Sequence, residues 1–311
     1  MTEMLQAQYE AVVVGGGPAG LSAALVLGRA CRRVLLIDAG EGRNAPADAA
    51  HGFLTQDGTP PSEIRRIGRA QLASYDVTVK EGRVTAAKTV DGRFEVEFAG
   101  QRVACRSLIL ATGIADRLPP IPGAKQWWGR GIVVCPYCHG WEIRDRPWAF
   151  LAPAEQVIER ATMLLGWTKQ LTYLTSGDVS LPAEVAKWLT AHDVAIREEA
   201  ISGFEGEGET LTGVALAGGE QLSLAAVFVS PQFSQTTPLA ESLGLSLETE
   251  GHQAGTIRTE PHGVTSVEGL FIAGDAASWG VMSVASAASE GMMAAVFANM
   301  RMLKQDADAS E

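Results

Sequence analysis

Cysteine is scarce in this chain, with four in 311 residues. So few cannot build a disulfide scaffold in a protein of this length. Basic runs are missing as well, and the formal charge is −11, which excludes binding to nucleic acid by neutralising its phosphates. The first residues, MTEMLQAQYEAVVVGGG, carry two glutamates and no basic region ahead of the apolar run, so no secretory leader is expected. Long uncharged apolar runs are also lacking. The most apolar helical stretch, 281–300, contains Glu290 and Asn299 and is rich in Ala, Ser and Gly; it reads as a buried helix rather than a membrane span. Low-complexity segments are absent. These absences leave a soluble, cytoplasmic, globular protein with neither nucleic acid nor membrane as partner. Its length makes two domains the default.

What is present begins with a strand, Tyr9 to Val14, that runs into Gly15-Gly16-Gly17-Pro18-Ala19-Gly20. An alanine- and leucine-rich helix follows, then a second strand ending at Asp38. Gly15 permits the tight turn, Gly17 admits a pyrophosphate to the backbone, and Gly20 allows close helix–strand packing. The helix N-terminus turns its positive end to the phosphates, and Asp38 is placed to accept from ribose hydroxyls. Which dinucleotide binds is not fixed by this motif. Near the other end, the strand of "GLFIAGDAASWG" (269–280) closes on Gly274-Asp275. Asp275 is there either to hold ligand hydroxyls or to cap the next helix.

Between them, short alternating runs from Val77 to Val103 predict antiparallel strands, and "SLILATG" (107–113) is a buried strand closing on glycine. The Pro- and Gly-rich stretch 117–131 reads as a linker. A second α/β segment follows, with strands at Trp148–Leu151 and Leu171–Leu174 around a helix, and a second linker lies near 232–255. The expected architecture is α/β: two Rossmann-like domains, one interrupted by the other.

The sequence "VVCPYCHGWE" (133–142) places Cys135 and Cys138 two residues apart. Such a pair serves as half a zinc site, a static bridge or a redox couple. Zinc needs about four ligands, and Cys31 and Cys105 are single; each reads as a core residue or an inert thiol. A static bridge does not suit a cytosolic chain. The redox reading is the one the surroundings favour.

Gly15-Gly16-Gly17-Pro18-Ala19-Gly20, Ala111-Thr112-Gly113, Cys135-x-x-Cys138 and Gly274-Asp275, in that order, resemble low-molecular-weight thioredoxin reductases over nearly the whole chain. The resemblance implies FAD in a split domain of residues 1–117 and 243–311. A smaller pyridine-nucleotide-like domain of residues 118–242 would carry the CxxC, in a homodimer. It implies further flavin contacts at Arg43, Asn44, His51, Val84, Ser283 and Val284. It also places Cys138 nearest the flavin and Cys135 toward the substrate.

Two departures matter. His139 follows the second cysteine, where these reductases carry an aspartate. In the inserted domain the nucleotide turn reads "LAPAEQV" (151–157), with Ala152, Ala154 and Val157 at the small-residue positions. Thr175-Ser176-Gly177 stands where arginines would meet a 2′-phosphate. A Cβ at a close approach blocks the pyrophosphate, and no cation remains. "CPYCHGWE" and "HGFLTQDG" (51–58) resemble a subgroup, the FAD-dependent dithiol oxidases of gliotoxin-, holomycin- and romidepsin-type pathways. These close a disulfide in a small dithiol and pass the electrons to molecular oxygen, giving hydrogen peroxide. The rivals are an NADPH-dependent disulfide reductase and a non-catalytic redox sensor. In the oxidase reading His139 is the proton acceptor or else a solvent-exposed or capping residue, with Glu142 to orient it or simply to face solvent. His51 contacts the flavin or serves as a turn residue. Trp127, Trp128 and Trp141 fill core or line a substrate pocket.

Overall fold

In a computed structural model of the protein, residues 8–177, 180–277 and 281–309 are described; Ser278 to Gly280 of the "GDAASWG" motif and Asp178 of "YLTSGD" lie outside them. The chain forms two compact units. The first comprises Met1–Ala45, Phe53–Asp116 and Phe233–Glu311, the second Pro46–Gly52 and Arg117–Gln232.

The first unit opens with β1 (Gln8–Val14), α1 (Pro18–Arg29) and β2 (Val34–Asp38). β1 and β2 are parallel, with Val14 opposite Ile37. Along β1, Val12 and Val14 face one core while Ala11 and Val13 face another. A strand buried on both faces in this way belongs to a sheet covered on both sides. Then come α2 (Pro61–Leu72), β3 (Val77–Glu81), β4 (Val84–Val90), β5 (Arg93–Phe98) and β6 (Gln101–Leu110). β4, β5 and β6 form the expected antiparallel meander. β3 corrects the expectation: it lies parallel to β2, because α2 supplies the crossover that a parallel pair needs.

The chain leaves through β7 (Ile114–Arg117) and enters the second unit with β8 (Ile132–Val133), α3 (Pro136–Ile143), β9 (Trp148–Phe150), α4 (Val157–Leu164), β10 (Leu171–Leu174), α5 (Ala183–Ala191) and β11 (Ala195–Arg197). An antiparallel ribbon of β12 (Ile201–Glu207), β13 (Thr210–Leu216) and β14 (Gln221–Ser223) precedes β15 (Ala226–Phe228). The parallel sheet runs β11-β10-β9-β15-β8, with Trp148 and Phe150 on one core and Ala149 on the other. The stretch 117–131 is therefore no free linker. Ala124 and Trp127 are buried in this unit's core, where Ile121 and Trp128 also pack.

β16 (Gln232–Gln235) pairs with β7 on the way back, and α6 (Leu239–Ser242) follows. Leu239, Ala240 and Leu243 join the core of the first unit, so the return falls at Phe233 and not at 243. The expected second linker is likewise packed. β17 (Leu270–Ile272) lies parallel to β6, and α7 (Val284–Asp308) ends the described chain. Its 25 residues include no window apolar enough to cross a membrane, and no other described helix has one.

Candidate active site

The strand ends of the first unit build a turn of bare backbone. The Gly15 N–H donates to Ile37 O at 2.8 Å, and the Ala111 N–H donates to Val14 O at 2.8 Å. At Gly15, φ is +110°, which favours glycine, and a Cβ there would run into the Ala111 carbonyl. A Cβ at Gly20 would run into the Gly15 carbonyl. Gly17 is the opposite case, since a Cβ there would meet nothing within 4 Å. It is the N-cap residue of α1, with Pro18 starting the helix, and the N–H groups of that first turn have no partner within the helix. Beside this turn the Thr112 hydroxyl is buried without a hydrogen-bond partner. A Cβ at Gly274 would stand 3.0 Å from that of Ala19, which brings the Gly274-Asp275 turn against α1. Space at Gly17, free N–H groups and an orphaned hydroxyl fit a diphosphate ligand rich in hydroxyls.

The charged residues around the turn are held by one another. Asp38 is buried; its Oδ1 accepts from the Gly40 N–H at 3.1 Å and its Oδ2 from Arg69 of α2. A carboxylate has about four acceptor positions, so capacity for ribose hydroxyls remains. Arg43 donates from Nε and Nη2 to Asp116 at 2.8 and 2.7 Å, and from Nη1 to Asp275 at 2.9 Å. Burial works against the Arg43 charge, but the hydrogen bonds to Asp116 and the charges of Asp275 and Asp116 raise its pKa above the usual arginine value. Asn44 accepts from Arg65 at 3.4 Å. The Val84 side chain is buried in the core, leaving its backbone to meet a ligand.

Asp275 is not a helix cap. It sits in a short 3-10 turn, Gly274–Ala276, and the cap of α7 is Ser283, which accepts from the Ser286 N–H at 3.0 Å. Val284 is the first helical residue. From one turn farther along α7, Glu290 reaches back: its Oε2 accepts from the Gly274 N–H at 2.9 Å and its Oε1 from the Ser286 hydroxyl at 2.7 Å. Burial raises the Glu290 pKa, and the charge of Asp275 adds to this against the two hydrogen bonds. Sequence reasoning missed the roles of Glu290 and Asp116. Glu290 had a signal, as the lone charge in 281–300; Asp116 had none.

In the second unit Cys135 and Cys138 are joined as a disulfide, with Cα atoms 5.3 Å apart. Cys135 is the N-cap residue of α3, in extended conformation, and Pro136 starts the helix. The bond thus ties the cap to the third helical residue, in place of a side-chain hydrogen bond. Once the pair is reduced, a Cys135 thiolate would stand at a helix N-terminus, a position that lowers thiol pKa. Neither ring nitrogen of His139 makes a hydrogen bond of normal geometry, although both are buried. Burial lowers its pKa; the nearby Cys135 backbone and the Glu142 charge oppose this, while His51 adds to it. The ring is therefore neutral at pH 7 and free to take a proton. His51, expected beside the flavin, belongs with 46–52 to this second unit. Its Nε2 lies 3.6 Å from Glu142 Oε1, so Glu142 pairs with His51 and does not face solvent alone. Cys105 is buried, and burial pushes its thiol up to about 12. Cys31 is exposed in the turn after α1, so its expected place beside a strand core is corrected.

The corresponding turn of this unit, 151–157, has no glycine. Ala152 is buried and Val157 fully so, and the Ala152 carbonyl accepts from the buried Tyr173 hydroxyl at 3.0 Å. Thr175 spends its hydroxyl within the unit, donating to Glu198 O after β11 at 3.2 Å and accepting from the Gly177 N–H at 3.3 Å. A further residue escaped the sequence reading. Arg160 of α4 donates to Val134 O at 3.2 Å, to Val229 O at 3.4 Å and to Ser230 Oγ at 2.7 Å. Burial lowers its pKa against the charge of Glu159. Its guanidinium lies over the carboxyl ends of β8 and β15, beside the point between β9 and β15 where strand order reverses. Open α/β sheets bind ligands at such points.

Comparison with known proteins follows the same lines. The family model for pyridine nucleotide-disulphide oxidoreductases matches residues 9–291. A stretch of 160 residues is 41% identical to a probable thioredoxin reductase of Arthroderma benhamiae, covering 49% of this chain but only 40% of that protein. Thioredoxin reductase sirT of Leptosphaeria maculans is 32% identical over 317 residues, covering 96% of this chain and 95% of its own. Among solved structures, the crystal structure of HlmI superposes with a TM-score of 0.90 at 32% identity, covering 99% of this chain and 96% of that one.

Proposed function

The chain belongs to the pyridine nucleotide-disulphide oxidoreductase family, and on that premise we propose that it is an FAD-dependent dithiol oxidase acting on a small dithiol of the natural-product type. Its relatives are thioredoxin reductase-like, and FAD is the ligand we assign to the first unit. The reading is carried by one observation: the second unit keeps its disulfide, while its turn at 151–157 has no glycine and the nearby Arg160 is spent on the unit's own carbonyls.

In this proposal a substrate thiolate attacks Cys135 Sγ, and the Cys135–Cys138 bond breaks with Cys138 leaving as thiolate. The second substrate thiol then displaces Cys135 Sγ. The substrate leaves as a cyclic disulfide, having lost two electrons and two protons, and the cysteine pair is reduced. A free thiol has a pKa of about 8.5, so His139, buried and neutral, takes the first proton. His51 and Glu142, 3.6 Å apart, hold a second imidazole near a carboxylate for the other. When bound, FAD would supply a two-electron acceptor for the reduced pair, with dioxygen as the final acceptor and hydrogen peroxide as the product. The Gly17 cradle, Thr112 and the held carboxylates of Asp38 and Asp275 are the residues that would bind it. We also read the protein as a cytoplasmic homodimer; the exposed apolar row Met292, Val296, Met300 and Leu303 on α7 is a surface a second copy would cover.

Anaerobic stopped-flow mixing tests the proposal. A small dithiol should bleach the flavin while NADPH does not, and in air peroxide should appear in step with disulfide. Rapid bleaching by NADPH and none by dithiols would return the protein to the reductases, the reading its relatives' names favour.

A further inference from the structure

α3 has two unlike faces. Pro136 and Gly140 are buried, and Ile143 packs on the core. A Cβ at Gly140 would come within 2.8 Å of the Trp167 ring, so the helix lies flush on its unit. The other face carries Tyr137, Trp141 and Arg144, spaced four and three residues apart, which is one stripe of a helix. Tyr137, between the two cysteines, is 74% exposed, and Trp141 is 67% exposed. Single exposed aromatics are ordinary. Two on one stripe, starting inside the redox motif, are different, because any substrate thiol must approach that end of the helix to reach Cys135.

Both rings are held in place. Tyr137 meets Trp167 edge to face, with centroids 5.0 Å apart at 89°. Arg144 stacks its guanidinium on Trp141 at 3.8 Å and donates to the Trp141 carbonyl at 2.5 Å. Arg144 makes no ion pair among the described residues. One side of the Trp141 ring is thus covered by a cation and the rest is open. Trp127 is 4% exposed and Trp128 packs on the core, so among the three tryptophans considered from sequence only Trp141 is available.

We propose that Tyr137 and Trp141 form an aromatic platform that selects dithiols carrying a planar conjugated ring. The platform stacks that ring and delivers one thiol in line with the Cys135–Cys138 bond. This rests on the dithiol oxidase reading and adds the substrate class. Stacking on a held ring exploits surface that is already ordered, so little conformational entropy is lost on binding.

The test compares two dithiols that close rings of equal size, 1,2-bis(mercaptomethyl)benzene and dithiothreitol. Oxygen uptake is measured with the flavin-loaded parent and with Trp141→Leu, Tyr137→Leu and the double variant. The ratio of kcat/KM for the aromatic over the aliphatic dithiol should fall about tenfold for each ring removed, equivalent to roughly 1.4 kcal/mol, with KM carrying the change. A parent that favours the aromatic dithiol and variants that lose this preference support the platform. A ratio unmoved by the double variant, with both dithiols slowed alike, overturns it and makes the two rings structural. A parent that oxidises neither dithiol overturns the oxidase reading itself, and is told apart by the absence of any turnover to compare.

Discussion

The two units share a framework of parallel strand, turn and helix, yet their turns differ at the level of single carbon atoms. After β1, side chains are excluded at Gly15 and Gly20 by carbonyl oxygens, and Gly17 looks onto empty space. After β9, Ala152 and Val157 are buried in the protein itself, and Arg160 bridges the strand ends. The difference teaches that two turns on one framework can differ by a few side-chain atoms, with the sheet around each of them alike. Where the first unit keeps charge poised for a ligand, in Arg43, Asp116 and Asp275, the second turns its cation inward onto carbonyls.

The strongest way to break the comparison is to fill the first turn as the second is filled. Gly20→Val drives carbon into the Gly15 carbonyl, and should abolish flavin binding altogether, seen as loss of absorbance in the visible range. A variant that remains fully yellow would mean that this turn does not hold the cofactor. The reverse exchange comes next. Ala152→Gly with Ala154→Gly and Ser176→Arg restores bare backbone and one cation to the second turn. A charge-assisted contact contributes about 1.5–3 kcal/mol, so NADPH affinity should rise by roughly ten- to a hundredfold, measured by titration of cofactor fluorescence. No gain would place the block in Arg160 instead.

A smaller effect is expected from Asp116→Asn. Half the ionic support of Arg43 is lost, Asp275 is less firmly held, and FAD affinity should fall by about tenfold, read from flavin fluorescence on dilution. The smallest concerns the second unit alone. His139→Gln should slow dithiol oxidation several-fold near neutral pH and approach the parent near pH 9, where thiols ionise unaided. The sign of the stability effect follows from burial. Because the folded His139 pKa lies below 6.5, the neutral ring contributes stability that is present above pH 6.5 and lost as pH falls through the lowered value. His139→Gln should therefore lose less melting temperature than the parent on acidification across that window.

Much of this was legible in the sequence because it rests on local pattern. The glycine turn, Asp38 and the CxxC are each written in a few neighbouring residues, and the strand periods around them show the α/β fold. What escaped depends on meetings between distant segments. Arg43 is held by Asp116 and Asp275, 73 and 232 positions away, and Arg160 reaches carbonyls just past the ends of two strands. A backbone carbonyl leaves no trace in sequence as an acceptor. The segment 46–52 was read with its neighbours in the chain, but His51 sits with the second unit because its partner Glu142 is on α3. The supposed linkers were misread for a related reason: proline and glycine mark turns, yet Trp127, Leu239 and Leu243 between them carry enough apolar surface to pack.

The split of the first unit sets an order of assembly. β17, Asp275 and Gly274 all follow the inserted unit in the chain, while their partners β6, Arg43 and Ala19 precede it. On a ribosome the 117–232 stretch emerges whole and can fold while β6 still waits for its neighbour. The sheet of the first unit closes only through contacts of long sequence separation, which form slowly. The glycine turn is thus made early, while the Gly274-Asp275 side that packs against it comes last, after the disulfide-bearing half of the chain can already have formed.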